Sequence, residues 1–441
     1  MIEYIKNLVK EHPTLNLFDK LVSTYDLSLD KNGVNGKRLA SRLSALSEIG
    51  VTADNGSNRT GFSPEEKAAK DLVKQWMEEA GLVVSEDGAG NVFGRIDGKN
   101  PNLPAIMSGS HVDSVPNGGH FDGPLGVLAA LEVASAWKQT GFVPERPFEV
   151  VIFTDEEGAR FNGGFSGSAA MIGEVTREEY LAKTDFNGDS FTNVLENIGL
   201  SVDGYFNSKR DLSKLEAFVE LHIEQGKRLE KAGVPVGIVT GIAGPCWLRM
   251  TFTGLAGHAG NTPMNDRKDA LVAASQFIHE VQSLPGQVSS SAVATVGKVD
   301  VLPNGANVIP GEVRLTVDIR DIKKETRDRL IDLVIEKAQT ISEAHGIELQ
   351  YEETFREAPV PISEDMQKKL EKSVVAQGIE PVYLPSGAGH DAMIVGHVLP
   401  VAMIFAQSKD GVSHNPAEWT SLNDCVHSVH VLKDFVEGYD K

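Results

Sequence analysis

At 441 residues the chain is too long for one ordinary domain and suits two or three. Its formal charge of −20 argues against nucleic acid as the main partner, so an anionic ligand would need a local arginine or bound cations. Two cysteines, Cys246 and Cys425, make no disulfide framework, and neither a leader-like N-terminus nor a bilayer-long apolar run is present. The expectation is a cytoplasmic protein that engages no membrane.

Residues 1–60 are polar, with a helix expected near Gly36–Glu48. A second helix is expected from near Ser63 to Met77, with Pro64 in its first turn. LPAIMSGSHVDS then reads as a buried strand, GVLAALEVASAWKQTG as a helix capped by Gly141, and FEVVIFTDEE as another buried strand. Continuous apolar strands between helices predict a mostly parallel sheet covered on both faces.

From about Gly241 the pattern changes. PCWLRMTFTG, AVATVGKVDV, EVRLTVDIRD and IELQYEETF read as strands, with helices in NDRKDALVAASQFIHEVQSL and ETRDRLIDLVIEKAQTISEAHG. The order βαββαβ is that of a ferredoxin-like unit. Val313, Leu315, Val317 and Ile319 share the face that packs on the helices, and Arg314, Thr316, Asp318 and Arg320 share the open one. VLPVAMIFA returns to the α/β pattern. The fold class is therefore α/β, a discontinuous domain of residues 1–240 and 360–441 interrupted by an inserted α+β domain, 241–359.

The chemistry-bearing residues follow the apolar strands. In GSHVDSVPNGGHFDG, His111 and Asp113 are two apart, so Asp113 is placed to orient a ligating histidine. Asp122 sits in a glycine-rich turn, and its two oxygens could bridge two metals. In TDEEG, adjacent glutamates diverge, so Glu157 can ligate while Glu156 serves as general base. HIEQG contributes His222 and SHNPAEW contributes His414. This mix of N and O donors suits two divalent ions among Zn, Mn, Co and Ni better than Ca or Mg. His120, His345, His397, His427 and His430 lack such company and are read as ordinary polar residues.

GSHVDSVPNGGHFDGPLGVLAALE, FTDEEGARF, HIEQG, GLAGHAGNTPM, PNGANVIPG, VDIRD and SGAGHDAM together resemble the M20-type metal-dependent amidohydrolases from about residue 38 onward. More narrowly they resemble the branch that holds N-carbamoyl-L-amino acid hydrolases, allantoate amidohydrolases and β-ureidopropionases. The resemblance implies one metal on His111, Asp122 and His222, the other on Asp122, Glu157 and His414, and Glu156 as base. Peptidase relatives carry a carboxylate where this chain has His222, which favours the carbamoylase branch. The resemblance also makes the inserted domain the one that forms a homodimer and closes over the site. It matches His258, Asn307 and Arg320 to substrate-holding positions, with Gly389 and His390 of the SGAGH loop nearby; Gln225 is a weaker candidate.

The residue chemistry agrees. The planar fork of Arg320 suits a bidentate carboxylate, although a surface pair with Asp318 or Asp321 would use it equally well. His258, ringed by glycines, can reach an oxyanion. The expected activity is hydrolysis of the ureido C–N bond of an N-carbamoyl-L-amino acid. Allantoate or β-ureidopropionate is the alternative substrate. A dinuclear metallopeptidase or a non-catalytic metal-bearing binding protein fits less well.

Overall fold

The computed structural model describes residues 16–440; the start of the polar segment 1–60 lies outside that range. The described chain forms two compact units. The first comprises the residues up to Val239, Ile362–Leu384 and those from His390 onward; the second comprises Thr240–Pro361 and Pro385–Gly389.

The first unit is built on a sheet whose strands run Val83–Glu86, Val92–Ile96, Phe148–Phe153, Ala105–His111, Leu215–Ile223, Val401–Ala406 and Val236–Ile242 in spatial order. The middle four, from Phe148–Phe153 to Val401–Ala406, are mutually parallel. The flanking strands pair antiparallel. Ala105–His111, Phe148–Phe153 and Val401–Ala406 are buried at every position, as central strands covered on both faces are, and the polar members Ser110 and Glu149 are met by Glu220 and Arg95.

Helix Pro124–Thr140 is buried from Pro124 to Trp137 because it is covered on all sides. It packs on the strands Ala105–His111 and Leu215–Ile223, and on the helices Gly36–Ser47 and Leu422–Gly438. It ends where expected, at Gly141 in the left-handed region. Helix Pro64–Glu79 starts with the Ser63 side chain accepting from the Glu66 amide, and helix Gly36–Ser47 with Asn35 accepting from the Arg38 amide. Short helices between Ser166 and Phe206, which the sequence reading did not anticipate, surround an aromatic cluster of Phe62, Phe161, Tyr180, Phe191 and Tyr205. No helix among the described residues is long and apolar enough to cross a membrane.

The second unit holds a four-stranded antiparallel sheet in the order Glu348–Arg356, Gly244–Thr253, Glu312–Asp321, Val293–Leu302. Numbered along the chain this is 4-1-3-2, the ferredoxin-like order, with helices Ala270–Val281 and Lys324–His345 as its crossovers. Val313, Leu315, Val317 and Ile319 are fully buried against those helices, together with Phe252, Phe277 and Leu330. Arg314 is exposed, and Thr316, Asp318 and Arg320 are half-buried on the opposite face.

Candidate metal centre

The four parallel strands of the first unit set the centre, because open α/β sheets present their carboxyl ends to ligands. His111 closes the strand Ala105–His111, and Glu156 and Glu157 follow Phe148–Phe153 within four residues. His222 is the penultimate residue of Leu215–Ile223, and His414 comes from the loop after Val401–Ala406. Asp122 arrives from the turn just before helix Pro124–Thr140.

Two donor clusters result, His111–Asp122–His222 and Asp122–Glu157–His414, each with its ligand atoms within 4.8 Å of one another. Asp122 divides itself between them. Its Oδ1 stands 3.0 Å from His222 Nε2 and 3.7 Å from His111 Nε2, and its Oδ2 stands 3.4 Å from His414 Nε2. Glu157 Oε2 completes the second cluster at 3.3 Å from His414 Nε2. Glu156 Oε2 lies 3.6 Å from His111 Nε2.

The donor set fits divalent cations on three counts. His111 Nδ1 faces the Asp113 carbonyl at 3.1 Å, and His222 Nδ1 faces the Ile223 carbonyl at 3.0 Å. Carbonyls only accept, so each ring puts a proton on Nδ1. Burial is outweighed by the surrounding carboxylates, which raise both rings, so Nε2 also holds its proton until a cation displaces it and takes the inward lone pair. His111 Nε2 is also buried without a hydrogen-bond partner. Third, the buried carboxylates outnumber the cations that could pair with them. Burial, reinforced by the Asp122 charge, pushes Glu157 up to about 8, and burial raises Glu156 well above the usual carboxylate range. Asp122 is held low instead, because the rings of His222, His414 and His111 outweigh its burial. Acids that keep their protons in such a cluster are those a divalent ion displaces them from.

Asp113 meets the His111 ring twice, its carbonyl 3.1 Å and its carboxylate Oδ1 3.4 Å from Nδ1. The same carboxylate also accepts from the amides of Glu156 at 3.2 Å and Glu157 at 3.1 Å. One buried residue thus orients a histidine and fixes the backbone of both glutamates. Gly123, at φ +81°, lies under the His111 ring; a Cβ there would meet the ring at 2.4 Å. Asp155, Gln225 and His414 hold left-handed backbones at φ 54°, 55° and 54°. Such conformations cost roughly 1–3 kcal/mol each for non-glycine residues and concentrate at functional sites.

Gln225 is not free-standing: its Nε2 donates to Asp122 Oδ2 at 2.7 Å. The His390 ring is buried, with its centroid 4.4 Å from that of His222. Sequence reasoning passed over Glu418, although it lies inside the quoted SHNPAEW; its carboxylate accepts from the Phe121 and Asp122 amides. It also passed over Glu220, a buried acceptor for Ser110 Oγ and the Ala392 amide. The ordinary histidines have ordinary partners: His120 meets the Asn55 carbonyl, His397 meets Glu174 and His430 meets the Leu29 carbonyl.

The remaining candidates belong to the second unit. Gly257–His258 pairs with Val308–Ile309, which sets His258 beside Asn307; the Asn307 carbonyl accepts from the Ala259 amide. His258 is exposed, and its Nδ1 accepts from the amides of Gly260 and Asn261, so the neutral ring presents Nε2–H as a donor. Arg320 pairs with Asp318 and donates from Nη1 to the Gly387 carbonyl at 2.8 Å, two residues before Gly389. Asp321 is engaged elsewhere, buried under Ser289, Ser291 and Thr326.

Residues 107–438 match the profile of peptidase family M20/M25/M40. An N-carbamoyl-L-amino acid amidohydrolase of Geobacillus stearothermophilus is 45% identical over 90% of this chain and 97% of its own length. An allantoate amidohydrolase of Bacillus subtilis is 37% identical over 89% and 94%. A crystal structure of a hydantoinase/carbamoylase-family amidase from Burkholderia multivorans superposes with a TM-score of 0.86 at 35% identity, covering 92% of this chain and 98% of that one.

Proposed function

Because the chain belongs to peptidase family M20/M25/M40, we propose that it hydrolyses the carbamoyl C–N bond of N-carbamoyl-L-amino acids. The products are the free amino acid, carbon dioxide and ammonia. The carrying observation is the sharing of Asp122 between two donor clusters at the sheet's carboxyl edge, in a chain so similar to a carbamoylase. His222 supports the same reading, since the family resemblance implies a carboxylate at this position in the peptidase relatives.

His111, Asp122 and His222 would hold one divalent cation and Asp122, Glu157 and His414 the other. Drawn from Zn, Mn, Co or Ni, the pair would acidify water and polarise a carbonyl. Glu156 takes the proton of the attacking water and returns it to the leaving nitrogen. Asp113 fixes that base by holding its amide. His258 donates Nε2–H to the oxyanion that develops on the ureido carbonyl. Arg320 receives the substrate carboxylate, which answers how so acidic a protein retains an anion. Gln225, Asn307, Gly389 and His390 make the remaining substrate contacts, and the second unit, as a lid, carries the interface of a homodimer.

The test is ammonia release from a panel of N-carbamoyl-L-amino acids, β-ureidopropionate, allantoate and dipeptides, with light scattering on the same preparation. Turnover confined to dipeptides would overturn the carbamoylase reading, and a monomer at assay concentration would overturn the dimer. A preference for allantoate would move the substrate while keeping the chemistry.

A further inference from the structure

Glu418 is a carboxylate buried to 4% exposure in the loop that follows His414. Burying such a group is costly unless hydrogen bonds serve it, so its partners indicate its task. Oε1 accepts from the amides of Phe121 at 2.8 Å and Asp122 at 3.1 Å, across 297 residues of chain in the first case. Oε2 lies 2.9 Å from Ser413 Oγ, which is itself 2.6 Å from Asp122 Oδ2. The result is a closed ring: the Asp122 amide, the Glu418 carboxylate, the Ser413 hydroxyl and the Asp122 carboxylate.

Two further contacts belong to this join. The rings of Phe121 and Trp419 meet edge-on at 5.7 Å. Gly119 lies so close to Glu418 that a Cβ there would stand 2.1 Å from the carboxylate. Together these tie the turn bearing Asp122 to the loop bearing His414. They contact one donor of the Asp122–Glu157–His414 cluster, Asp122, and anchor the loop of a second, His414, at the adjacent Ser413, while touching neither His111 nor His222, which meets Asp122 Oδ1 directly.

We infer that Glu418 is a positioning residue that holds Asp122 Oδ2 and His414 Nε2 at cation-binding distance. It thereby governs the affinity of that cluster selectively over the His111–Asp122–His222 cluster. The inference rests on the two-cation reading above.

The test strips the full-length protein with a chelator and titrates it with Co²⁺ alone, followed by calorimetry and visible absorption. Wild type should take up two equivalents. Glu418→Ala should keep one unchanged and lose roughly 10–100-fold in affinity for the other, the range for removing a group that orients a ligand. Glu418→Gln should restore both. Its carbonyl oxygen still accepts from the two amides, and its NH₂ faces Ser413 Oγ, which leaves the hydroxyl proton for Asp122. Ser413→Ala should weaken the same equivalent, and with the Gln variant it decides the matter if Glu418→Ala fails to fold. Two equivalents at wild-type affinity in a folded Glu418→Ala or in Ser413→Ala would overturn the inference, as would an equal loss at both sites. Wild type that takes up no Co²⁺ would overturn the two-cation reading itself, and the inference with it.

Discussion

Asp318 turns both carboxylate oxygens toward Arg320, with Oδ1 2.9 Å from Nε and Oδ2 2.7 Å from Nη2. The two side chains are two residues apart on one strand and so share its open face. The planar fork is therefore oriented before any ligand arrives, and its third nitrogen is aimed at the Gly387 carbonyl. Lysine would keep the charge and lose the fork. A charge-assisted hydrogen bond is worth about 1.5–3 kcal/mol, so Arg320→Lys should cost roughly 10- to 100-fold in kcat/KM, mostly through KM. Steady-state kinetics with carbamoyl amino acids checks this. An unchanged kcat/KM would leave Arg320 with no task beyond pairing with Asp318.

The two adjacent glutamates should separate cleanly. Glu156→Gln keeps the shape and loses the basic oxygen, so turnover should fall about 10²–10⁴-fold with cation content unaltered. Glu157→Gln should instead lower cation content, because Glu157 is a donor of the second cluster. Elemental analysis beside kinetics tells them apart. A Glu156→Gln enzyme that keeps half its rate would remove Glu156 from the role of base.

Chelation should lower stability as well as activity, since buried acids and imidazoles lose the charge that joins them. A cation held at about 100 times its dissociation constant stabilises the native state by about 2.7 kcal/mol per site. EDTA should therefore lower the melting temperature, and Mn, Co, Ni or Zn should restore both Tm and activity. Full activity in protein shown by elemental analysis to be metal-free would sink the mechanism.

Phe62 offers a test away from the centre. It is buried at φ 56°, and its ring meets Phe161, Phe191 and Tyr205 edge-on. Its amide donates to Glu66, whose other oxygen accepts from the Asp155 amide, directly before Glu156 and Glu157. Phe62→Ala should cost about 3–5 kcal/mol by urea unfolding. A loss below about 1 kcal/mol would mean that the cluster collapses around the gap.

What the sequence made legible was what local pattern encodes. AIMSGSH, FEVVIF and VAMIFA are mostly small or apolar runs, and His111, Glu156 and Glu157 sit at or just beyond the ends of the first two. The alternation in EVRLTVDIRD likewise assigned the buried and open faces of the inserted sheet, and put Asp318 within reach of Arg320. The strand VVSE was missed because four residues, mostly exposed, carry no period to detect. The antiparallel flanks were missed because they arise from the pairing of Val83–Glu86 with Val92–Ile96, and of that strand with Phe148–Phe153. The helices between Ser166 and Phe206 run only five to seven residues, too short for a helical stripe. Glu418 escaped for a different reason: its partners are backbone amides 296 and 297 residues earlier, and no side-chain pattern advertises such a bond.

The segment Pro385–Gly389 belongs with the second unit although its sequence neighbours on both sides belong to the first. Its Ser386 carbonyl accepts from the Ala243 amide, and its Gly387 carbonyl accepts from Arg320. The second unit is therefore not a cassette with one entry and one exit. A chimera made by exchanging only residues 240–361 between relatives would pair a transplanted Arg320 with the host's residue 387. An excised 240–361 fragment would leave Nη1 of that arginine to water. Recombination and loop grafting in this fold have to treat the long stretch and the five-residue piece as one heritable module.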